Sequence, residues 1–251
     1  MQITEIKKIS EYLKKCRKLP VGIGTTAICF LTKDNKVLKL YLNTSNRRAI
    51  FNNYDSFIEH MSEVGKYAND TYIAPDELLV QDGKCVAYLY PYIQGRTLKH
   101  INLFTKVDTL FLENYSKLEE DTQKFSESGF LQDDLHEKNI VYNGSYHIID
   151  LDVTPNLVAD VDLYETNMQK INKAIIDSLF RENDFTIMKF HNDELQKLYY
   201  EAIHKNHEAI RELFRAFNYY YPKADSVFDL KAKKHRYMMS KDNDYKFRRL
   251  L

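Results

Sequence analysis

Residues 131–152 read LQDDLHEKNIVYNGSYHIIDLD. Asp133, Asp134, Asp150 and Asp152, with His136 and Asn139, crowd beside two short apolar runs, NIVY and HIID. A polar loop between two strands accounts for this composition. So does a loop that presents hard oxygen ligands to metal-bound phosphate. The choice depends on the remainder of the chain.

With 251 residues the chain can bury a core as one large domain or two small lobes. Its 36 Lys and Arg balance 36 Asp and Glu, so no net charge draws it to nucleic acid or a membrane surface. No apolar run reaches the ~20 residues of a membrane-spanning helix. The start, MQITEIKKIS, lacks the apolar segment of a cleavable signal peptide. The expected setting is therefore the cytoplasm, or a host cytosol reached without such a signal. Cys16, Cys29 and Cys85 are odd in number and widely spaced, which suits a reducing compartment and no zinc pattern.

The periodicity predicts an amphipathic helix over residues 3–16, with Ile3, Ile6, Ile9, Leu13 and Cys16 on one side. AICFLT (27–32) and KVLKLYL (36–42) read as strands joined by the turn KDN. A helical pattern follows from Ser45 to Tyr67, and residues 76–93 form a hairpin around Asp82-Gly83. Residues 97–129 are mostly helical, with Gly129 as C-cap, and helices dominate again after Asp160. The fold class is α+β in two lobes of one domain. A small N-lobe (1–93) carries an antiparallel sheet, an N-terminal helix and one main helix; a larger, mainly helical C-lobe spans 94–251.

Gly22-x-Gly24-x-x-Ala27 lies between strand-like segments, which argues against a dinucleotide-binding turn. Such a hairpin can lay backbone N–H groups over phosphates, and a tight hairpin without a ligand fits equally well. Alternation puts Val37 and Lys39 on one face of their strand and Leu38 and Leu40 on the other. A lysine on that apolar strand needs an anion, unless an edge position lets it reach solvent. Glu59, or Glu63 one turn later, is the expected partner. Asp134 and Asn139, five apart in irregular chain, are followed by Asp150 beyond a strand-turn-strand. Phosphoryl transfer needs this set: a carboxylate for the attacking hydroxyl's proton and oxygen ligands for Mg²⁺.

In this order, glycine loop, Val-Leu-Lys39, helix Glu59, YLYPYIQG, Asp134-x-x-x-x-Asn139 and Ile-Asp150-Leu, the chain resembles the protein-kinase-like fold over roughly residues 19–180. The resemblance implies ATP and Mg²⁺ as cofactors. The backbone of Gly22, Ile23, Gly24, Thr25, Thr26 and Ala27 would cover the phosphates, and Lys39, steadied by Glu59, would bind them. Tyr90 would precede the hinge, Pro91 C=O and Ile93 N–H would meet the adenine edge, and Val37 and Val141 would sandwich the base. Asp134 would be the catalytic base, and Asn139 and Asp150 the metal ligands. His136 stands where protein kinases place a γ-phosphate lysine; aminoglycoside and choline kinase relatives place histidine there.

The departures direct the expected function. Gln132-Asp133 replaces His-Arg before Asp134, so control by activation-loop phosphorylation is not expected. Asp152 replaces the glycine after the metal aspartate, as a further ligand or, preferably, a loop carboxylate. Only about ten residues separate Asp150 from the next helical pattern, and no Ala-Pro-Glu follows. The span from Ile93 to Asp134 leaves no room for the substrate-binding helices of aminoglycoside kinases. The reading is a minimal, atypical bacterial- or phage-type Ser/Thr kinase acting on a protein. The alternatives are a small-molecule kinase acting on a small hydroxyl compound, a pseudokinase binding module and an AMP transferase. The basic end, KAKKHRYMMSKDNDYKFRRLL, reads as solvated charge, or else as a contact for an acidic partner. His191, His204 and His207 form no metal-ligand set, and Phe217 with Tyr219–Tyr221 reads as packing at a helix end.

Overall fold

The computed structural model describes residues 1–23, 27–41, 54–101, 114–151, 153–155, 160–180, 192–205 and 207–220. The chain divides into two compact units. One comprises Met1–Gln94 with Ile149–Leu151, the other Gly95–Ile148 with Asp152–Leu251.

The first unit is built on a six-stranded sheet, and its strands are β1 (Gln2–Glu5), β2 (Cys16–Ile23), β3 (Ala27–Thr32), β4 (Lys36–Tyr41), β5 (Glu77–Gln81) and β6 (Lys84–Pro91). The spatial order is β1-β5-β6-β4-β3-β2. All neighbours are antiparallel except β1 on β5. The turn between β5 and β6 has Asp82 at φ 52° and Gly83 at φ 69°, the left-handed pair that a two-residue hairpin of matching twist requires. Between β3 and β4, Asn35 takes φ 58°, and the Thr32 hydroxyl accepts from Lys36 N–H and donates to Lys36 C=O.

Both faces of this sheet are covered. Leu38, Leu79, Ala87 and Leu89 face one side, where Ile6 and the short helix α1 (Ile9–Leu13) pack through Ile9, Tyr12 and Leu13. Leu78, Tyr88 and Tyr90 face the other, against Ile58 and Met61 of α2 (Tyr54–Lys66). A strand buried on both sides explains why KVLKLY is apolar at successive positions, and each fully buried leucine contributes roughly 1.5–3 kcal/mol.

The N-terminal expectation is corrected. Residues 3–16 do not form one helix: β1 pairs with β5, α1 has five residues, and β2 begins at Cys16. Gln2 N–H donates to Asp76 C=O and Ile6 N–H to Val80 C=O, so the segment satisfies the outer edge of β5. Of the residues taken for a helical stripe, Ile6 reaches the core from the connection before α1, Ile9 and Leu13 from α1 and Cys16 from β2, while Ile3 is exposed.

The second unit begins with β7 (Arg96–Thr97) and a 3₁₀ turn at Leu98–His100. Its main helices are Tyr115–Glu127, Leu163–Phe180, Asp193–His204 and His207–Tyr220. Between the first two lie β8 (Phe130–Gln132), β9 (Ile140–Tyr142), β10 (Tyr146–Ile148) and β11 (Val153–Pro155). They make a three-stranded sheet β10-β9-β7 and a two-stranded sheet β11-β8. Gly129, at φ 88°, follows the C-cap Ser128 and ends the first long helix, as its position in sequence implies. Asn192 caps helix Asp193–His204 by accepting from Leu195 N–H at 3.0 Å. Buried Asn172 joins three helices: it accepts from the Tyr115 hydroxyl and donates to Ile203 C=O (3.1 Å) and Lys205 C=O (2.7 Å).

Gly95 lies where the chain crosses β9. A Cβ there would stand 2.7 Å from Val141 Cγ1 and 2.9 Å from the Tyr142 carbonyl oxygen. Gly95→Ala should therefore destabilise the protein by about 1–3 kcal/mol through overpacking. Thermal unfolding of the variant beside Gly65→Ala, at a helical position where the added Cβ would lie 3.7 Å from Met1 Cβ in ordinary contact, separates this clash from a glycine replacement without one.

Candidate functional site

In the first unit the alternation of β4 places Val37, Lys39 and Tyr41 on the face that meets α2. Cross-strand pairing sets Lys39 beside Tyr88 and Cys29, and Val37 beside Tyr90. Tyr41, Tyr88 and Tyr90 meet edge to face at 5.0 and 6.0 Å, and the Lys39 ammonium lies 5.7 Å from the centre of the Tyr41 ring. Burial holds the Tyr88 hydroxyl well above the usual tyrosine range, with further upward pressure from Tyr41, Cys85 and Tyr90. Burial also pushes the Cys85 thiol up to about 12.

Lys39 is 7% exposed, so its charge needs a counter-ion. Asp150 supplies it: the ammonium donates to Oδ1. This corrects the expected pairing with Glu59, whose side chain is exposed on α2. Glu63, the fallback, pairs with Lys66. Asp150 takes φ 61°, a left-handed conformation that aspartate tolerates better than most residues. Neighbouring Ile149 packs into the Tyr88–Tyr90 cluster and anchors this stretch. The half-buried Cys29 thiol senses the pair: burial raises it, Lys39 pulls it down and Asp150 raises it again.

The segment after β6 follows from backbone alternation. Leu89 C=O accepts from Asp76 N–H at 2.8 Å on the β5 side, and Tyr92 N–H donates to Asn35 C=O at 3.2 Å on the β4 side. Pro91 falls between them with its carbonyl turned away from β4, where β5 has already ended. Proline there forfeits no ladder bond. Ile93 is half-buried against the Met61–Tyr88 cluster. Gly22 and Ile23 end β2, Ala27 opens β3, and the two strands pair as a hairpin. Gly24, Thr25 and Thr26 lie outside the described residues, as do Asp152, His191 and residues 221–251. The side chains of 217–220 are likewise outside them.

In the second unit the loop after β8 carries Asp134, His136 and Asn139. Asp134 is exposed, and Asn139 is 9% exposed, with its Nδ2 donating to Asp134 C=O at 2.9 Å. Asn139 N–H donates to His136 C=O at 2.9 Å, closing the loop. His136 Nδ1 accepts from Lys138 N–H at 3.2 Å, which assigns the ring proton of neutral histidine to Nε2. That nitrogen lies 3.7 Å from Asp134 Oδ1. Val141 is buried in β9. Among the described residues no three His, Cys, Asp or Glu side chains converge as a metal cage. Mg²⁺ needs none, since one or two protein oxygens plus phosphates and water complete its shell. Asn139 Oδ1, oriented by the engaged amide nitrogen, and the Asp150 carboxylate are donors of the right hardness.

Two further residues shape the loop. Asn167, fully buried on helix Leu163–Phe180, accepts from Gln132 N–H (2.9 Å) and donates to Ser126 Oγ (3.0 Å) and Phe130 C=O (3.1 Å). Lys170, one turn on, donates to Gln132 C=O. The signal in the sequence was an asparagine at a position spaced with Ile171 and Ile175 along an apolar stripe.

No protein-family model and no curated protein matches the chain. Among solved structures, that of an apo pseudokinase superposes with a TM-score of 0.51 at 10% identity, covering 85% of this chain and 96% of that one. The chain thus has a protein-kinase-like α+β fold.

Replacing Asn167 with Ala removes a hydrogen bond from each of three buried groups at the foot of the loop. We expect a loss of about 2–4 kcal/mol in denaturant unfolding, from desolvation penalties of ~1–3 kcal/mol per group partly relieved by water. An unchanged midpoint would show that these groups find other partners.

Proposed function

We propose that the chain is an ATP- and Mg²⁺-dependent phosphotransferase of the atypical, minimal Ser/Thr kinase type, moving a γ-phosphate to a hydroxyl, most simply of a protein. The observation that carries this reading is the buried Lys39 ammonium held against Asp150. Two residues 111 positions apart, each singled out by motif, meet on an apolar face, where a charged pair is costly to keep without a use. In this reading Lys39 binds the nucleotide phosphates, with backbone of the Gly22–Ala27 hairpin over them. Pro91 C=O and Ile93 N–H meet the adenine edge, and Val37 and Val141 line the base. Bound Mg²⁺, on Asn139 and Asp150, would neutralise charge on the transferred group. The Asp134 carboxylate accepts the hydroxyl proton as the oxygen bonds to γ-phosphorus and the bond to ADP breaks. His136 Nε2–H donates toward the phosphate.

Asp134→Ala should lower transfer by about 10²–10⁴-fold while Mg-ATP still raises the melting temperature. Asp150→Ala should lose that stabilisation, because it removes a metal ligand and leaves Lys39 unpaired. Label from γ-³²P-ATP is offered to total protein and to a metabolite extract. Label in protein supports this acceptor class, and label in small solutes supports the small-molecule kinase. Adenylate found on the product by mass spectrometry would replace phosphate transfer with AMP transfer.

A second reading, a nucleotide-binding or non-catalytic module, is favoured by the structural likeness to a pseudokinase. Stabilisation by Mg-ATP with no transfer to either fraction would select it.

A further inference from the structure

Gln132 is the last residue of β8, yet both its backbone groups are held by one helix. Its N–H goes to Asn167 Oδ1 at 2.9 Å and its C=O to Lys170 Nζ at 2.9 Å. The Lys170 ammonium reaches two further acceptors, Asp133 C=O at 3.3 Å and Asp133 Oδ1 at 3.5 Å. An ammonium has three protons, and here three oxygens surround it. Asn167 and Lys170 stand three apart, so they present to the same side of the helix. The chain leading into Asp134 is therefore gripped on consecutive peptide groups from a single rigid element.

We infer that Lys170 is a positioning residue: its ammonium clamps the Gln132 and Asp133 carbonyls and so fixes the backbone from which Asp134 projects. Its charge also offsets the Asp133 carboxylate, next in sequence to the proposed base. Asp133 stands where a cationic residue was expected by resemblance, and its partner Lys170 carries the positive charge from the helix instead. The side chain of Lys170 is 31% exposed, so the clamp is strongest at the carbonyls and weakest at the carboxylate, in the order of the distances.

The clamp stands on geometry, and its catalytic consequence rests on the phosphotransfer reading. Three variants separate the two. Lys170→Met keeps the aliphatic stem and removes the donors, Lys170→Arg keeps a cation, and Asp133→Asn removes only the weakest contact. Hydrogen exchange of the peptide covering 133–139 reports on the clamp directly. We expect it to quicken in Lys170→Met, to stay near wild type in Lys170→Arg, and to change little in Asp133→Asn. In the same proteins kcat should fall about 10–100-fold for Lys170→Met, the scale of a small misplacement of a reacting group. KM for ATP should be unchanged, and Lys170→Arg should recover most of the loss. Unaltered exchange over 133–139 in Lys170→Met overturns the clamp whatever the activity. Faster exchange across the whole chain overturns the local role in favour of a general stability defect. A wild-type protein that transfers no phosphate, while Lys170→Met still loosens 133–139, leaves the clamp standing and sinks the phosphotransfer reading.

Discussion

A lysine ammonium on a buried sheet face needs a counter-charge, and much of the first unit is arranged around that need. Lys39 sits among Val37, Tyr41, Tyr88 and Tyr90, side chains that supply bulk and edge-to-face contacts. The carboxylate that answers it comes from Asp150, far along the chain, delivered by a left-handed residue and by Ile149 inserted into the same cluster. Removing either partner of such a pair typically costs about 3–5 kcal/mol when both are buried, and less where one stays partly wet, as Asp150 does. The pair therefore ties Ile149–Leu151 to a sheet that is otherwise made of the first 94 residues.

The second unit meets the opposite problem, a polar loop that must hold a fixed shape. Its solution is a helix whose buried side carries amides. Asn167 satisfies Gln132, Ser126 and Phe130, and Asn172 satisfies Tyr115, the Ile203 carbonyl of helix Asp193–His204 and that of its C-cap Lys205. Inside a protein, fully satisfied amides of this kind specify one arrangement, because any slip leaves several groups desolvated at once. The loop closes on itself as well, through Asn139 to Asp134 C=O and through His136 to Lys138 N–H.

The sheet was legible because its signals are local. The Asp82-Gly83 turn, the KDN turn and the alternation of KVLKLY each depend on a few consecutive residues, and each appears where the sequence places it. Gly129 ends its helix for the same reason. The N-terminal segment departs from its apparent period because Ile6, Ile9 and Leu13 have helical spacing whether one helix or a connecting turn and a short helix presents them. Pairing of Gln2–Glu5 with β5 decided the matter, and that is a long-range choice. The partner of Lys39 failed for a related reason. A glutamate on a neighbouring helix and an aspartate 111 positions away are equal as charges, and only the backbone at Asp150 and the orientation of α2 distinguish them. Lys170 carried no signal at all, since a lysine on a helix with acidic neighbours reads as solvated.

Fold likeness at 10% identity and the choice between kinase and pseudokinase are separate physical questions. A fold is specified by periodicity, turn chemistry and satisfied buried groups, and many residue choices meet those demands equally well. Transfer of a phosphoryl group depends instead on a handful of side chains at particular atoms. In this chain Lys39 is held by Asp150, and the approach to Asp134 by Asn167 with Lys170. Buried backbone groups need partners in a binding module as much as in an enzyme, so the hold of Asn167 and Lys170 on Gln132 gives the loop one shape under either reading.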